Sequence, residues 1–595
     1  MKKLLLHFLW LALALCGSGF LSPAFSQGTW KSLTNPAPDS NEGVMLLLTD
    51  GRVMCLTQDS SGTMSQEGNI WDLLTPDSTG SYANGTWTQL PRMRDTRLYC
   101  ASWVMPDGNV YIAGGEYGIG YSSGEVYNTN TQTWTSIPGV PFGWYFFDGV
   151  AENLYDGNIL HGIVYAPGAS PSVDNLIYNE TGNIYSIGPQ SLGSHDEVSW
   201  IKLPDSSILS TDLYTEHTER YIPKLNEWLR DSDLKNYVTD HTIYEMGPGF
   251  LLPNGNVFIL SDTTYTAIYT PSGDTNKGTW IQGPAMPMAN GVQMGCPDAP
   301  SAMMPDGNIL CSFGPAQTYN LPVYFYEFNY LNNTFTQINA PTGGDSLPYD
   351  TVYEGCMLDL PDGTVLYSQQ YSNRYYQYIP SGTPLAAGKP TIDNIIANCP
   401  NFKITGKLFN GITEGAAYGD DWQMATNYPI VRLTNGTRVY YAKTTNWNRV
   451  GAIMTGSAED TADFLIPPMP VGAYSVEVIA NGNASAPYSL TLTCSTMGVQ
   501  QIPKPNNTIS VSPNPSNGKF MISIMNNEQG IMIPIAIGIE VYNMLGEKVY
   551  YNSAFNIQHS TFDIDLSSQS NGIYLYRVLT ENGQLLGEGK IVLNK

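Results

Sequence analysis

Residues 353–367, YEGCMLDLPDGTVLY, set a pattern that recurs over the first two thirds of the chain: an acid, a mostly apolar run, Asp-Gly, and a second apolar run. Short apolar runs bounded by turn residues predict strands, and Asp-Gly or Asn-Gly between two of them predicts a hairpin, because the turn needs positive φ. The turns fall at Asp50-Gly51, Asp107-Gly108, Asp156-Gly157, Asp205-Ser206, Asn254-Gly255, Asp306-Gly307 and Asp362-Gly363, spaced by 57, 49, 49, 49, 52 and 56 residues. Six of the units end in a further strand with one large aromatic: Trp87, Trp134, Tyr185, Trp228, Trp280 and Phe335.

A period near fifty with four strands per unit is the signature of a kelch-type propeller blade. The seventh unit runs into SGTPLAAGKP with no aromatic strand, whereas GTWKSL with Trp30 stands ahead of the first unit. Residues 28–33 are therefore expected to supply the outer strand of blade seven and close the ring, removing the open sheet edges. The predicted fold is all-β: a seven-bladed propeller over 28–385, then an immunoglobulin-like β-sandwich over 389–494, in which short strands such as PIVRLTNGTRVYYAKTTNW alternate with turns. A Pro-rich linker, 495–507, leads to a small β-sandwich over 508–595.

Composition narrows the class. Charged residues are only 13% of the 595, aromatics are 12%, and the net charge is −25. Binding to nucleic acid is not expected at that charge, and cations, amines or neutral glycans fit better. Residues 1–26 combine a basic start, an apolar stretch and Ala24-Phe25-Ser26, and read as an export signal. The seven remaining cysteines are an odd number, so at least one has no partner in the chain; Cys399 and Cys494, near the two ends of the second unit, are the expected disulfide.

The last ninety residues carry Ser-Pro-Asn-Pro, Tyr-Asn-Met-Leu-Gly-Glu, Asn-Gly-Ile-Tyr and a terminal Lys after a β run. In that order they resemble the C-terminal sorting domain of type IX secretion cargo. The resemblance implies handling by the type IX secretion machinery, loss of the domain, and release or attachment at the cell surface.

Chemistry is sought where radial repetition concentrates it. Eight residues before each turn stand Glu42, Tyr99, Asp148, Glu197, Met246, Asp298 and Glu354, and Glu245 neighbours Met246. In a propeller these positions form a ring at one mouth of the channel. With Tyr353 beside Glu354, they make the candidate ligand-binding ring. Crowded carboxylates must hold protons or share a cation. A hard cation such as Ca²⁺ on Asp148, Glu197, Asp298 and Glu354 is one expectation, sugar hydroxyls or an amine another, and simple stapling of blades by hydrogen bonds a third. Trp103, Trp144 and Tyr145 are expected nearby. His195 and His241, with Asp196 and Asp240, could meet near the mouth or be spent on backbone carbonyls. Asp420-Asp421 reads as a turn cap.

Seven such blades followed by a sandwich resemble the galactose oxidase and glyoxal oxidase family, whose second domain is an early-set immunoglobulin-like one. That resemblance implies one copper held by two Tyr and two His, one Tyr crosslinked to a Cys. Cys100, in LYCASWVMPDG, and Tyr353 match. The crosslinked Tyr is replaced by Asp148, the His after Tyr353 by Glu354, and the sandwich His by Thr444 or Thr445; no His lies between His241 and His559. Carboxylates alone make a poor copper(II) site. Copper and copper-radical oxidation are thus not expected. The leading expectation is an exported or surface-displayed protein binding a glycan or cation-dependent ligand at the mouth. A carboxylate-dependent polysaccharide enzyme and an adhesin or matrix component are the alternatives.

Overall fold

A computed structural model describes residues 27–57, 68–169, 171–415, 426–452, 458–494, 507–526, 537–554, 561–580 and 585–595. The export-signal stretch, Asp420-Asp421 and His559 lie outside these, as does the side chain of Glu42. The described part divides into two compact units, residues 1–497 and 498–595.

Among the described residues seven antiparallel sheets fill the first 380 positions, a β-propeller; five have four strands, and those of blades five and six are extended to five and seven. Their innermost strands are Asn41–Leu47, Ala101–Val104, Ala151–Asn153, Trp200–Lys202, Gly249–Leu251, Ser301–Met303 and Gly355–Asp359. Inner and second strands are buried on both faces, which is why they read as continuous apolar runs; Val53–Thr57 is buried at every position. The turn between them is the same in each blade. The glycine sits at φ between 78° and 85°, and at Asp205-Ser206 a serine takes φ 72°. The Asp or Asn side chain accepts the backbone N–H two residues on, from 2.7 Å at Asp107 to 3.3 Å at Asp50. That local bond is what the repeated carboxylate or amide supplies.

The outer strands lean on the preceding blade. The Trp134 ring stacks on Trp71 at 6.0 Å, Trp87 packs on Tyr375 at 4.9 Å, and Trp30 packs on Phe325 at 5.3 Å. Each indole N–H donates to the loop that follows the preceding blade's outer strand: Pro91 O at 2.8 Å, Asn35 O at 3.0 Å and Asn339 O at 2.7 Å. Trp30 belongs to Thr29–Ser32, which pairs with the third strand of blade seven, Thr29 opposite Ile379 and Ser32 opposite Tyr376. Chain start and blade seven thus form one sheet. Trp30→Ala is expected to lower stability by about 2 kcal/mol, less than for a fully buried Trp because the ring is half exposed. A urea midpoint matching wild type would deny the strand its closing role.

Residues 391–492 add seven long antiparallel strands, from Thr391–Asn398 to Tyr488–Leu492. Cys399 and Cys494 are joined by a disulfide, Cα atoms 6.4 Å apart. This body packs on the Asp-Gly turns. A Cβ on Gly51 would come within 2.5 Å of the Tyr441 ring, and Thr444 and Thr445 lie against Gly108. It also sends a short strand, Glu414–Gly415, to pair with the innermost strand of blade five, Phe250 opposite Gly415. The turn face of the propeller is therefore covered, and the mouth lies at the opposite end of the inner strands.

The second unit holds two antiparallel sheets of three and four strands, with Phe520, Ile539, Val541, Ile564, Val578 and Ile591 at its centre. On it Glu540 accepts from Lys548 and Arg577, whose bonds bring its carboxyl down to about 2.

Candidate functional site

Where the chain turns into the inner strands it is bent into the left-handed region without glycine. Tyr99 has φ 54°, Phe147 φ 47°, Glu197 φ 47°, Tyr244 φ 64° and Asp298 φ 49°. Each such residue costs on the order of 1–3 kcal/mol, and such strain clusters where side chains are aimed for a purpose. Here it aims acids at a common point. Asp148, Glu245 and Asp298 are buried, at 4 to 6% exposure, and Glu197 is partly buried beside them. Burial first, and then the charges of Asp196, Glu197 and Glu116, hold the Asp148 carboxyl well above its usual range. Burial, Asp298, Glu245 and Asp196 do the same to Glu197. Glu245 is pushed up to about 11 by burial and by Asp298, against the Tyr319 hydroxyl that donates to it. Asp196 is raised by burial, against its hydrogen bond with Asp148, which works to lower it. The mouth is thus a set of carboxyl groups that cannot all ionise together, with Glu245 the one held protonated at neutral pH.

Of the ring expected from the repeat, blades three to six therefore converge. Blade five does so through Glu245; Met246 is buried, its sulfur accepting from the Thr211 hydroxyl at 3.4 Å. Glu354 is used differently. It ends a short 3-10 turn, Val352–Glu354, and accepts from Gln369 at 3.2 Å, fastening its own blade. Tyr99 is linked across blade one, its hydroxyl meeting Gln370 Nε2 at 3.3 Å. The Tyr353 ring stands edge-on to Tyr319 at 5.3 Å. Glu116 and Tyr319, which lie in loops after the second strands of blades two and six, join the cluster without any repeat position to announce them; Glu116 feels Asp298 and Asp196.

Among the described residues no group of three or more His, Cys, Asp or Glu is disposed to hold a metal ion. The expected hard-cation set of Asp148, Glu197, Asp298 and Glu354 is therefore not assembled as one, and Glu354 is occupied by Gln369. The two histidines do not meet either. His195 is buried, accepts from the Trp200 indole at 2.9 Å, and is brought down to about 3 by burial. His241 is exposed beside Tyr237. Trp103 belongs to the channel interior, where Lys202 lies 5.6 Å over its ring.

The positions that the resemblance matches to copper ligands are taken up by other contacts. Asp148 is in the carboxyl cluster, Thr444 is buried and donates to Pro429 O at 2.6 Å, and Thr445 lies by the Gly108 turn on the covered face. Cys100 is buried. None of these positions offers the imidazole nitrogen that copper(II) prefers.

Comparison with known proteins agrees with this architecture. Residues 97–141 match the Kelch motif, and residues 510–594 match the secretion system C-terminal sorting domain. The chain is an exported protein built on a kelch-type β-propeller. Its tail is the sorting domain of type IX secretion, which directs it out of the cell and to the cell surface. A stretch of 58 residues, 9% of the chain, is 38% identical to galactose oxidase of Gibberella zeae and spans 8% of that protein's length. Among solved structures, a fungal alcohol oxidase of the AA5 family in complex with copper is similar with a TM-score of 0.46 at 14% identity, over 79% of this chain and 100% of the other. YCF48 from Cyanidioschyzon merolae is similar with a TM-score of 0.38 at 9% identity, over 60% of this chain and 99% of its own.

Proposed function

We propose that this exported propeller is a glycan-binding protein that takes its ligand at the acid-lined mouth and does not carry out copper-radical oxidation. The observation that carries the reading is the meeting of Asp148, Asp196, Glu197 and Glu245 in one carboxyl cluster at the mouth opposite the turn face. Carboxyls that hold protons can both donate and accept, as a set of sugar hydroxyls requires. Half-exposed rings stand beside them: Phe147 adjoins Asp148 and lies 5.4 Å from Tyr145. Few convergent polar groups among aromatic walls are the usual make-up of a small-molecule site. The net charge of −25 disfavours polyanionic glycans and leaves neutral or amino sugars. Display at the cell surface, which the sorting domain provides, is where such binding is useful.

The test is a glycan array probed with the mature protein, with and without chelator, beside Glu197→Gln. Wild type is expected to bind neutral or amino glycans, and a Glu197→Gln variant with unchanged melting is expected to lose them. Copper is expected at far less than one per chain, and stoichiometric copper would overturn the exclusion. A second reading has its own support: a carboxyl pushed up to about 11 beside other acids is the kind of asymmetry a glycoside-cleaving pair uses. Reducing ends released from a bound polysaccharide would favour it over binding alone.

A further inference from the structure

Loops that lead into the inner strands and loops that leave the second strands open on the same face, so their exposed aromatics share the surface around the mouth. On blades four and five these rings form a row. Tyr214, whose hydroxyl is raised by burial and by Asp196 and Glu197, stands next to the acids. Its ring is 5.4 Å from Tyr244, Tyr244 is 6.0 Å from His241, and His241 is 4.4 Å from Tyr237. Tyr214, Tyr237 and Tyr244 are exposed by 42, 39 and 41%. Single exposed aromatics are ordinary on a protein surface, but four in successive contact make a patch.

The row ends in a cleft of about 380 Å³ between blades four, five and six. Tyr237 and Tyr265 are its aromatic walls, and Asp240, Thr263 and Gln317 line the rest. The polar walls are fixed in place. Asp240 accepts from the backbone of Ile243 at 3.1 Å, and buried Asp262 accepts from the Gln317 backbone at 2.9 Å, holding Gln317 at φ 61°. Asn236 ties the loop to Tyr265 O at 2.9 Å. Among the described residues no Lys or Arg lines the cleft, so an anionic ligand finds no lysine or arginine counter-charge there. Flat rings alternating with hydroxyl, amide and carboxylate groups suit a sugar ring, which presents C–H groups on its faces and hydroxyls around its rim.

We propose that the cleft is a second sugar subsite, and that the row from Tyr214 to Tyr237 carries an extended neutral glycan chain from it to the mouth. The inference rests on the mouth reading and adds to it a ligand class, a chain rather than a monosaccharide. The full mature protein should be titrated calorimetrically with cello-, manno- and N-acetylchito-oligosaccharides, from disaccharide to hexasaccharide. Tyr237→Ala/Tyr265→Ala serves as the comparison; both side chains are surface-exposed, and an unchanged melting temperature verifies its fold.

Wild type is expected to bind the hexasaccharide of one series about tenfold or more tighter than its disaccharide. The double variant is expected to lose that gain and keep its disaccharide affinity. Equal affinity for short and long chains in wild type overturns the subsite while leaving the mouth reading intact. So does a length gain that survives in the double variant. If wild type binds no member of any series, both the mouth reading and the subsite fall.

Discussion

Lys202→Met will cost about 3–5 kcal/mol of stability and loosen the second body of the chain from the propeller, because it leaves two buried acids without their cation. Lys202 is 2% exposed. Its ammonium lies 2.9 Å from Glu152 on blade three and 3.6 Å from Glu414, which arrives on the short strand from the second body. Glu414 also accepts from the Ala452 backbone at 2.9 Å. One lysine thus joins two blades and two loops of the neighbouring body. Methionine keeps the stem and removes the charge, so the loss reads the unpaired acids rather than a cavity. Burial already pushes Glu152 up to about 7 despite Lys202, and burial raises Glu414 as well. Without the lysine both move further up, so the native state binds protons that the unfolded state releases above about pH 4. The penalty must therefore grow as pH rises, larger at about pH 8 than at about pH 5. Urea midpoints at the two values measure it, and limited proteolysis of residues 391–492 reports the loosening. A midpoint within error of wild type at the higher pH would show that the triad contributes nothing to docking.

The propeller was legible in the sequence because its signals are local. Asp107 needs only the N–H of Asn109 two residues away to hold its turn, so the residue type survives in every blade as Asp or Asn. Trp30 was legible for the same reason, since the seventh unit lacks an aromatic that the chain start provides. Counting back from the turn located Asp148, Glu197 and Asp298, since radial repetition carries position into space. It slipped at blade five, where Tyr244 takes the left-handed corner and moves the acid to Glu245, and at blade seven, where the 3-10 turn puts Glu354 beside Gln369. Glu116 and Tyr319 were hidden because second-strand loops differ in length from blade to blade and give no position to count. The Lys202 triad was hidden more deeply. Its three members lie in three elements distant in sequence, and a two-residue strand, Glu414–Gly415, has no periodicity to read.

Glu245→Gln will stabilise the protein by about 1–3 kcal/mol at about pH 8, leave it nearly unchanged at about pH 4, and abolish ligand binding. The sign follows from proton counting. In the folded state burial and Asp298 push this carboxyl up to about 11, whereas in the unfolded chain it titrates near the ordinary value of about 4. Between those values the native state holds a proton that the unfolded state has given up, so folding must take one from solution and stability falls as pH rises. Glutamine has the same shape, offers a donor to the neighbouring acids without a proton to capture, and still accepts from Tyr319. The benefit is thus absent at the low end, where both states are protonated, and grows toward the high end. Thermal unfolding at the two pH values, with binding measured on the same sample, gives both readouts. A variant destabilised more at about pH 8 than at about pH 4 would mean that Glu245 works as an ionised staple between blades, and a stabilised variant that still binds would place the ligand elsewhere. The expected combination, more stable and inactive, is what a site kept for function against its own electrostatic cost must show.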